Sequence, residues 1–307
     1  MTDHATLGHT IPFRILIDDA VKLARKHFMV IYFPVAVPLA LMSGIMVATQ
    51  SHWMMGIFSM RSGVFNLEHM FSTILLLLGM SFLWGLAFGL GAAAMMKGSI
   101  DATAGRPVDM KNCWLFVIQP QTIGTLILSG LAIGLGFMFC FFPGVYIGLI
   151  LSFILPVMVD ENLFVTDAMR RSYQLVRYNP HWPFLKNPMV KVFTIFVLGG
   201  ILSYIANIII QLPLLVYQQI IIFRAITSGG GVMDPATILS RTIWLQVPSN
   251  MFGTMASMAV QVYVCFCIAL LFFDVRRRKE GCDIAQAIGE LAEAGGVIRD
   301  ANDPRMS

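Results

Sequence analysis

The chain has 307 residues, of which 57% are apolar and only 12% are charged, and its mean hydropathy is +0.75. A soluble domain is typically about a quarter charged, so this composition excludes an ordinary soluble domain and predicts a membrane protein. The net charge of +4 is small and its basic residues cluster where apolar runs end, which argues against a nucleic-acid partner. The five cysteines have neither metal-ligand spacing nor the even number of a disulfide framework.

Six apolar stretches predict an all-α polytopic fold with six transmembrane helices, since about 20 residues cross the ~30 Å hydrocarbon layer. The first four spans are predicted near residues 28–48, 71–96, 122–142 and 145–159. The third and fourth divide one uncharged run at Phe142-Pro143-Gly144, which is a turn signal. The fifth span begins after Lys191 and the sixth ends at Phe273.

The basic residues are distributed unequally about these spans. All but three of the 21 Lys and Arg residues fall on one side, the exceptions being Arg61, Arg224 and Arg241. The positive-inside rule therefore predicts that both termini are cytoplasmic. The expected organisation is a cytoplasmic N-terminal segment (1–27) with an interfacial helix, a six-span membrane domain (28–273) and a cytoplasmic tail (274–307).

Three segments have apolar residues at helical spacing opposite polar or charged ones: residues 13–28, 107–117 and 164–176. This pattern is typical of interfacial amphipathic helices, with the apolar side among acyl chains and the basic side toward anionic headgroups. Such helices on the cytoplasmic side could sense lipid or dock a partner. Simple anchoring of the spans is the plainer reading.

The last two apolar runs are longer than a bilayer requires. Residues 192–223 and 242–273 are uncharged, and each run would be about 48 Å long as a continuous helix. Pro213 and Pro248 lie near their outer ends. We expect either kinked extensions that lie on or fold back into the outer leaflet, or tilted spans capped by an outer helical hairpin. The Gly-rich connection 228–231 is expected to be mobile.

The spans carry no Asp, Glu, Lys, Arg or His at hydrocarbon depth, which argues against an ion-coupled transporter. Neutral polar side chains could form a small headgroup pocket between spans five and six if their faces meet, or could simply bond neighbouring helices. The candidate pocket residues are Tyr204, Asn207, Gln211, Gln261 and Tyr263.

Catalysis and cofactor binding are not predicted. The chain has no nucleophile elbow, phosphate loop or paired His-Glu zinc motif. Soft ligands near the first outer loop suit Cu(I), but methionine also fills apolar gaps, and no Met-x-Met repeat is present. We therefore expect no metal and no cofactor. These soft ligands are His52, Met54, Met55, Met60, His69 and Met70.

Small residues recur every fourth position in two spans, as Gly85, Gly89 and Ala93 in the second and as Gly130 and Gly134 in the third. Such spacing lets helix backbones approach closely. It predicts that these residues form helix–helix seams.

Two stretches carry a family resemblance. The first leads from Pro143-Gly144 to Glu161 and then to Arg171-Ser172. The second has the pattern Asp-x-Arg-x-Arg-x-Glu-Gly-x-Asp, formed by Asp274, Arg276, Arg278, Glu280, Gly281 and Asp283. Together they resemble the bacterial membrane-domain family related to glycerophosphoryl diester phosphodiesterases, whose six-span members are largely uncharacterised. The resemblance implies a bacterial inner (cytoplasmic) membrane location and a tie to lipid or envelope processes. The chain lacks the phosphodiesterase catalytic domain that some members carry.

The tail motif also has a physical reading. Its arginines can pair with its own acidic residues, Gly281 can terminate the helix, and a clamp can form against Asp160 or Glu161. Docking of a cytoplasmic protein partner is the alternative reading of this motif. We expect a non-catalytic accessory or scaffold protein that contacts membrane lipids. The rival hypothesis is a transporter or lipid-translocating protein that uses the pocket between spans five and six.

Overall fold

The structure is a computed structural model that describes residues 12–59, 67–177, 187–227 and 235–301. Within these ranges all regular elements are helical, which confirms the all-α fold. One 3₁₀ turn, Leu151–Phe153, separates α5 from α6. The nine α-helices are α1 (Phe13–Ser59), α2 (Leu67–Thr103), α3 (Met110–Val117), α4 (Pro120–Phe139), α5 (Phe141–Ile150), α6 (Ile154–Glu161), α7 (Val165–Val176), α8 (Pro188–Thr227) and α9 (Pro235–Ala301).

Six segments of the described chain are long and apolar enough to cross a membrane, as the sequence predicts. They are Phe13–Ser51, Ile74–Thr103, Pro120–Phe139, Phe141–Glu161, Pro188–Ile221 and Thr242–Glu280. The last is the most buried and the second the least, with 56% and 6% of the most apolar window inside the protein. The most extensive helix–helix contacts are those of α9 with α1 and α8. Helix α9 is therefore the centre of the bundle, and α2 lies at its surface.

The first predicted interfacial helix is not a separate element. Residues 13–28 and the first span form one continuous helix, α1. Leu16, Ala20 and Ala24 are no more than 2% exposed, so the apolar side of this segment packs on protein rather than on lipid. Periodicity alone does not say which apolar surface covers the apolar side of a helix.

The α4–α5 hairpin turns on a single residue, Cys140, whose backbone is extended (φ −172°, ψ 154°). The predicted turn at Phe142-Pro143-Gly144 is two residues late, because these residues lie in the first turn of α5. Proline fits there, since the first N–H groups of a helix have no intrahelical acceptor. Glycine at position 144 permits a close approach: a Cβ there would lie 2.5 Å from Phe137 Cγ.

Helices α8 and α9 are continuous through Pro213 and Pro248. Neither outer end is therefore a separate re-entrant element among the described residues. Whether these ends are kinked onto the outer leaflet or tilted through it stays a prediction. The connection 228–231 lies outside the described residues.

Gly281 does not terminate the last helix, because α9 continues to Ala301. Asp283 lies in this continuation, where its side chain is outside the described part.

Of the predicted seam residues, Ala93 is fully buried in the core, but the four glycines make no close contact among the described residues. A Cβ placed on Gly85, Gly89, Gly130 or Gly134 would meet no atom within 4 Å, whereas one on Gly199 would lie 2.6 Å from a Val264 methyl carbon. Spacing alone identifies a small-residue stripe but not the helix that it faces.

Candidate functional site

The last turns of α2 and α6, helix α7, the start of α8 and residues 274–280 of α9 bring their charged side chains together at one end of the apolar bundle. We call this end the charged face. It is held by a set of ion pairs among Lys97, Asp101, Arg106, Asp160, Glu161, Arg171, Lys191, Asp274, Arg276, Arg278 and Glu280.

Arg276 of α9 is the hub of this set. Its guanidinium group donates to Asp160 at the end of α6 and, through Nε, to Glu280 Oε2 at 2.8 Å. Arg171 of α7 donates to both oxygens of Glu161, at 2.8 and 3.1 Å, and also to Glu280. Two arginines thus join three helices through shared carboxylates, which gives paired, directional contacts.

The end of α2 joins the same set through the loop that follows it. Lys97 Nζ donates to Asp101 Oδ1 at 3.1 Å. Arg106 reaches Asp101 at 3.1 Å and Asp160 at 3.6 Å. The chain can turn back here because Gly105 has a positive φ of 72°, a conformation that costs glycine little.

A second, more buried group links α8 to α9. Asp274 is ion-paired with Arg278, and its Oδ2 lies 3.8 Å from Lys191 Nζ. The side chains of Lys191 and Asp274 are each only 5% exposed. Pairing is required here, because a buried charge without a partner is strongly destabilising. Sequence reasoning missed Lys191, although a signal existed: Lys191 and Asp274 bound the uncharged runs of spans five and six at their charged-face ends.

Helix α7 lies across the base of the α4–α5 hairpin. Val165 N donates to Thr125 Oγ1 at 2.7 Å, and Ser172 Oγ donates to the Ile150 carbonyl at 2.6 Å. Lys279 of α9 donates to the carbonyl of Gln174 at 2.5 Å. The apolar side of α7, formed by Ala168, Ser172, Leu175 and Val176, is buried in the protein. The predicted interfacial helix therefore exists as an element, but its apolar side covers protein.

The outward side of this region is basic. Arg170 of α7, Arg177 directly after α7 and Arg277 of α9 are exposed. Arg277 stands between Arg276 and Arg278, both of which are ion-paired. In the tail motif, Arg276 and Arg278 therefore face carboxylates inside the protein, whereas Arg277 faces outward, toward solvent or lipid headgroups.

Helix α3 is the third amphipathic segment. Asp109 caps it by accepting a hydrogen bond from Lys111 N at 3.0 Å, and Met110, Cys113 and Val117 are buried. The predicted start at Pro107 is therefore three residues early. Burial, reinforced by the nearby Asp101 carboxylate, raises the pKa of the Cys113 thiol to about 11, which makes this cysteine a poor nucleophile.

The five candidate pocket residues do not form one site. Asn207 Nδ2 donates to Ser257 Oγ at 2.7 Å, and Asn207 and Gln211 both face Gly253 of α9. Tyr204 is 67% exposed and points away from this contact.

The other two pocket residues lie on different sides of α9. Gln261 Nε2 lies 3.9 Å from Cys265 Sγ of its own helix. The ring of Tyr263 lies 5.9 Å from that of Phe28 of α1. Only Asn207 and Gln211 are therefore brought together.

The contact of α8 with α9 contains further polar residues that sequence reasoning missed. Thr242, Gln246 and Ser249 share the helical spacing of Gly253 and Ser257, so they lie on the side of α9 that faces α8. Among the described residues, Gln246 Oε1 and Ser249 Oγ are buried without a hydrogen-bond partner. We call this line of neutral polar residues the polar seam. The recurrence at every third or fourth position was the signal that could have identified it.

The fold and the charged face define an all-α, multi-pass membrane protein. The chain is similar to three uncharacterized mycobacterial proteins, one from Mycobacterium bovis and two from strains of Mycobacterium tuberculosis. Each is 24% identical over 146 residues, which cover 46% of this chain and 42% of the relative. The chain therefore spans less than half the length of the curated relatives it matches.

No family model matches the chain, and no solved structure matches it. The resemblance to the membrane domains related to glycerophosphoryl diester phosphodiesterases therefore stays a prediction.

Proposed function

We propose that the protein is a non-catalytic accessory or scaffold of the bacterial inner membrane, acting in lipid or envelope processes, with both termini in the cytoplasm. The observation that carries this proposal is the charged face, where acidic and basic side chains of five helices pair with one another. Asp160 and Glu161 are both engaged by arginine side chains, which supports a structural role rather than acid–base chemistry. The positive-inside distribution of Lys and Arg supports the orientation.

The docking surface in this proposal is the exposed basic patch of Arg170, Arg177 and Arg277. It lies on two helices that the ion pairs hold rigidly together, and a rigid surface loses little entropy on binding. Its charge selects a protein partner with an acidic surface, because complementary potentials steer association.

The test is a charge-reversal variant, Arg170→Glu/Arg177→Glu/Arg277→Glu, compared with Arg276→Ala. The triple variant should keep its yield in membranes and lose its partners in cross-linking followed by mass spectrometry. Arg276→Ala should instead lower the yield, because it leaves Asp160 and Glu280 without this arginine. Retention of every cross-linked partner by the triple variant would exclude docking at this patch.

A second candidate function is lipid translocation, which the polar seam favours. Buried polar atoms without partners are costly, and a lipid headgroup that enters between α8 and α9 could satisfy Gln246 and Ser249. The assay is scrambling of fluorescent phospholipids in vesicles of the purified protein. If this function holds, Asn207→Leu abolishes scrambling. Gln261→Leu, whose amide contacts only its own helix among the described bonds, preserves it. Absence of scrambling by the wild-type chain would eliminate this candidate.

A further inference from the structure

The α4–α5 hairpin is much shorter than the helices beside it when heights are measured from the charged face. Asp160 is ion-paired with Arg276, so α6 and α9 are level at these residues. Phe141 lies 19 positions before Asp160, which corresponds to about 30 Å of helix, including the 3₁₀ turn. Thr242 lies 34 positions before Arg276, which corresponds to about 51 Å of α9. The hairpin therefore ends about 20 Å short of the level of Thr242.

A second ion pair independently shows that the hairpin is shorter than a neighbouring long helix. Lys191 lies 3.8 Å from Asp274, so the start of α8 is also level with the charged face. Arg224 lies 33 positions after Lys191 in α8, which corresponds to about 50 Å. Both long helices thus extend well beyond Phe141.

The tip of the hairpin is apolar on all of its exposed surface. Met138, Phe139, Phe141 and Phe142 are 84%, 85%, 66% and 78% exposed. From residue 130 to residue 145 no side chain carries oxygen or nitrogen. A turn in water would leave these four large side chains hydrated, whereas a turn among acyl chains would bury them.

The backbone of the turn is also suited to an apolar environment. Cys140 N donates to the Gly136 carbonyl at 3.2 Å, and Gly144 N donates to the Cys140 carbonyl at 3.4 Å. Pro143 has no N–H group to satisfy. The one-residue turn therefore leaves fewer orphan donors than an open loop, which matters because water is absent from the hydrocarbon layer.

We propose that α4–α5 is a re-entrant hairpin that enters the bilayer from the charged face and turns inside it, with its tip in contact with the acyl chains of the far leaflet. With headgroups a bilayer is about 40–45 Å thick. Helices of about 50 Å span it at a tilt of about 30°, which is within the usual range. A hairpin of about 30 Å ends inside the far leaflet. Four helices, α1, α2, α8 and α9, then cross completely, and both termini stay on one side.

Cys140 makes the proposal testable without removing any native cysteine. A membrane-impermeant maleimide is added to native membranes, and to vesicles of the purified chain in phosphatidylethanolamine and phosphatidylglycerol, from each side in turn. Modified cysteines are located by mass spectrometry. Lys111→Cys, on the exposed side of α3, and Thr227→Cys, at the exposed end of α8, report the two aqueous compartments.

In native membranes and in vesicles, maleimide added from one side should modify Cys140 at least about ten-fold more slowly than it modifies the control cysteine exposed on that side. This should hold for both sides. It should react once detergent replaces the lipid. Labelling at the rate of Thr227→Cys from the same side would overturn the proposal, because the tip would then lie in water. Protection in native membranes that is lost in pure lipid vesicles would also overturn it, because a protein partner would then be the cover.

A depth measurement gives a second readout. A fluorophore attached to Cys140 in detergent and reconstituted into vesicles should be quenched most strongly by lipids brominated deep in the acyl chain. Strongest quenching by headgroup-labelled lipids would contradict the re-entrant turn.

Discussion

The buried ion pair between Lys191 and Asp274 allows a quantitative test of how the charged face holds the bundle together. Asp274→Asn removes the negative charge while nearly preserving the shape of the side chain. Lys191, 5% exposed, would then lie beside a neutral amide. Removing one partner of a buried pair typically costs about 3–5 kcal/mol, because the remaining buried charge loses a close opposite charge. Arg278 also loses its carboxylate, but its side chain is 13% exposed and can be hydrated more easily.

The matched control is the same substitution in an exposed pair. Asp19 lies 3.7 Å from Lys22 on α1, with side chains 51% and 77% exposed. Surface pairs of this kind contribute about 0–1 kcal/mol. Asp19→Asn should therefore leave the free energy of unfolding almost unchanged.

The assay is reversible unfolding in mixed micelles by titration with sodium dodecyl sulfate, followed by circular dichroism. The double variant Lys191→Met/Asp274→Asn should recover most of the loss, because the buried ammonium group is removed with its partner. If Asp274→Asn is no more destabilising than Asp19→Asn, the pair does not stabilise the fold. If the double variant is additive, the two side chains are not coupled.

The remaining predictions concern packing, reactivity and the tail motif. Gly199→Ala should destabilise by about 1–3 kcal/mol in the same titration, because its Cβ would lie 2.6 Å from an α9 methyl carbon. Gly200→Ala, whose Cβ meets open space, should be neutral or stabilising by up to about 1 kcal/mol; equal effects would refute the close contact. In detergent, alkylation of native Cys113 should keep accelerating up to about pH 11, since its pKa is raised to about 11, and a plateau near pH 9 would contradict this. Arg276→Ala should lower the melting temperature more than Arg277→Ala, and a reversed order would contradict the inward and outward assignment.

The positions of the apolar segments could be predicted from the sequence because transfer into lipid depends mainly on each residue's own side chain. The sixth span is an example: its uncharged run from 242 to 273 lies within the segment Thr242–Glu280. The sequence also indicated which residues lie at the membrane boundary, because charged residues are rarely placed in the hydrocarbon layer. A clamp against Asp160 or Glu161 was one of two readings of the tail motif, and the structure places Arg276 in one ion-paired set with both residues.

Which neighbour each helix face meets was decided only by the tertiary structure. Asn207 reaches Ser257 while Tyr204, three residues away, is 67% exposed; both look alike in sequence as polar residues of one span. Gly199 meets α9 at close range, but Gly85 faces open space. These differences depend on how helices are rotated about their axes, and that rotation is fixed by contacts between residues far apart in the chain. Hydrophobicity is a property of single residues and can be read locally, whereas a contact belongs to a pair and exists only once the bundle has assembled.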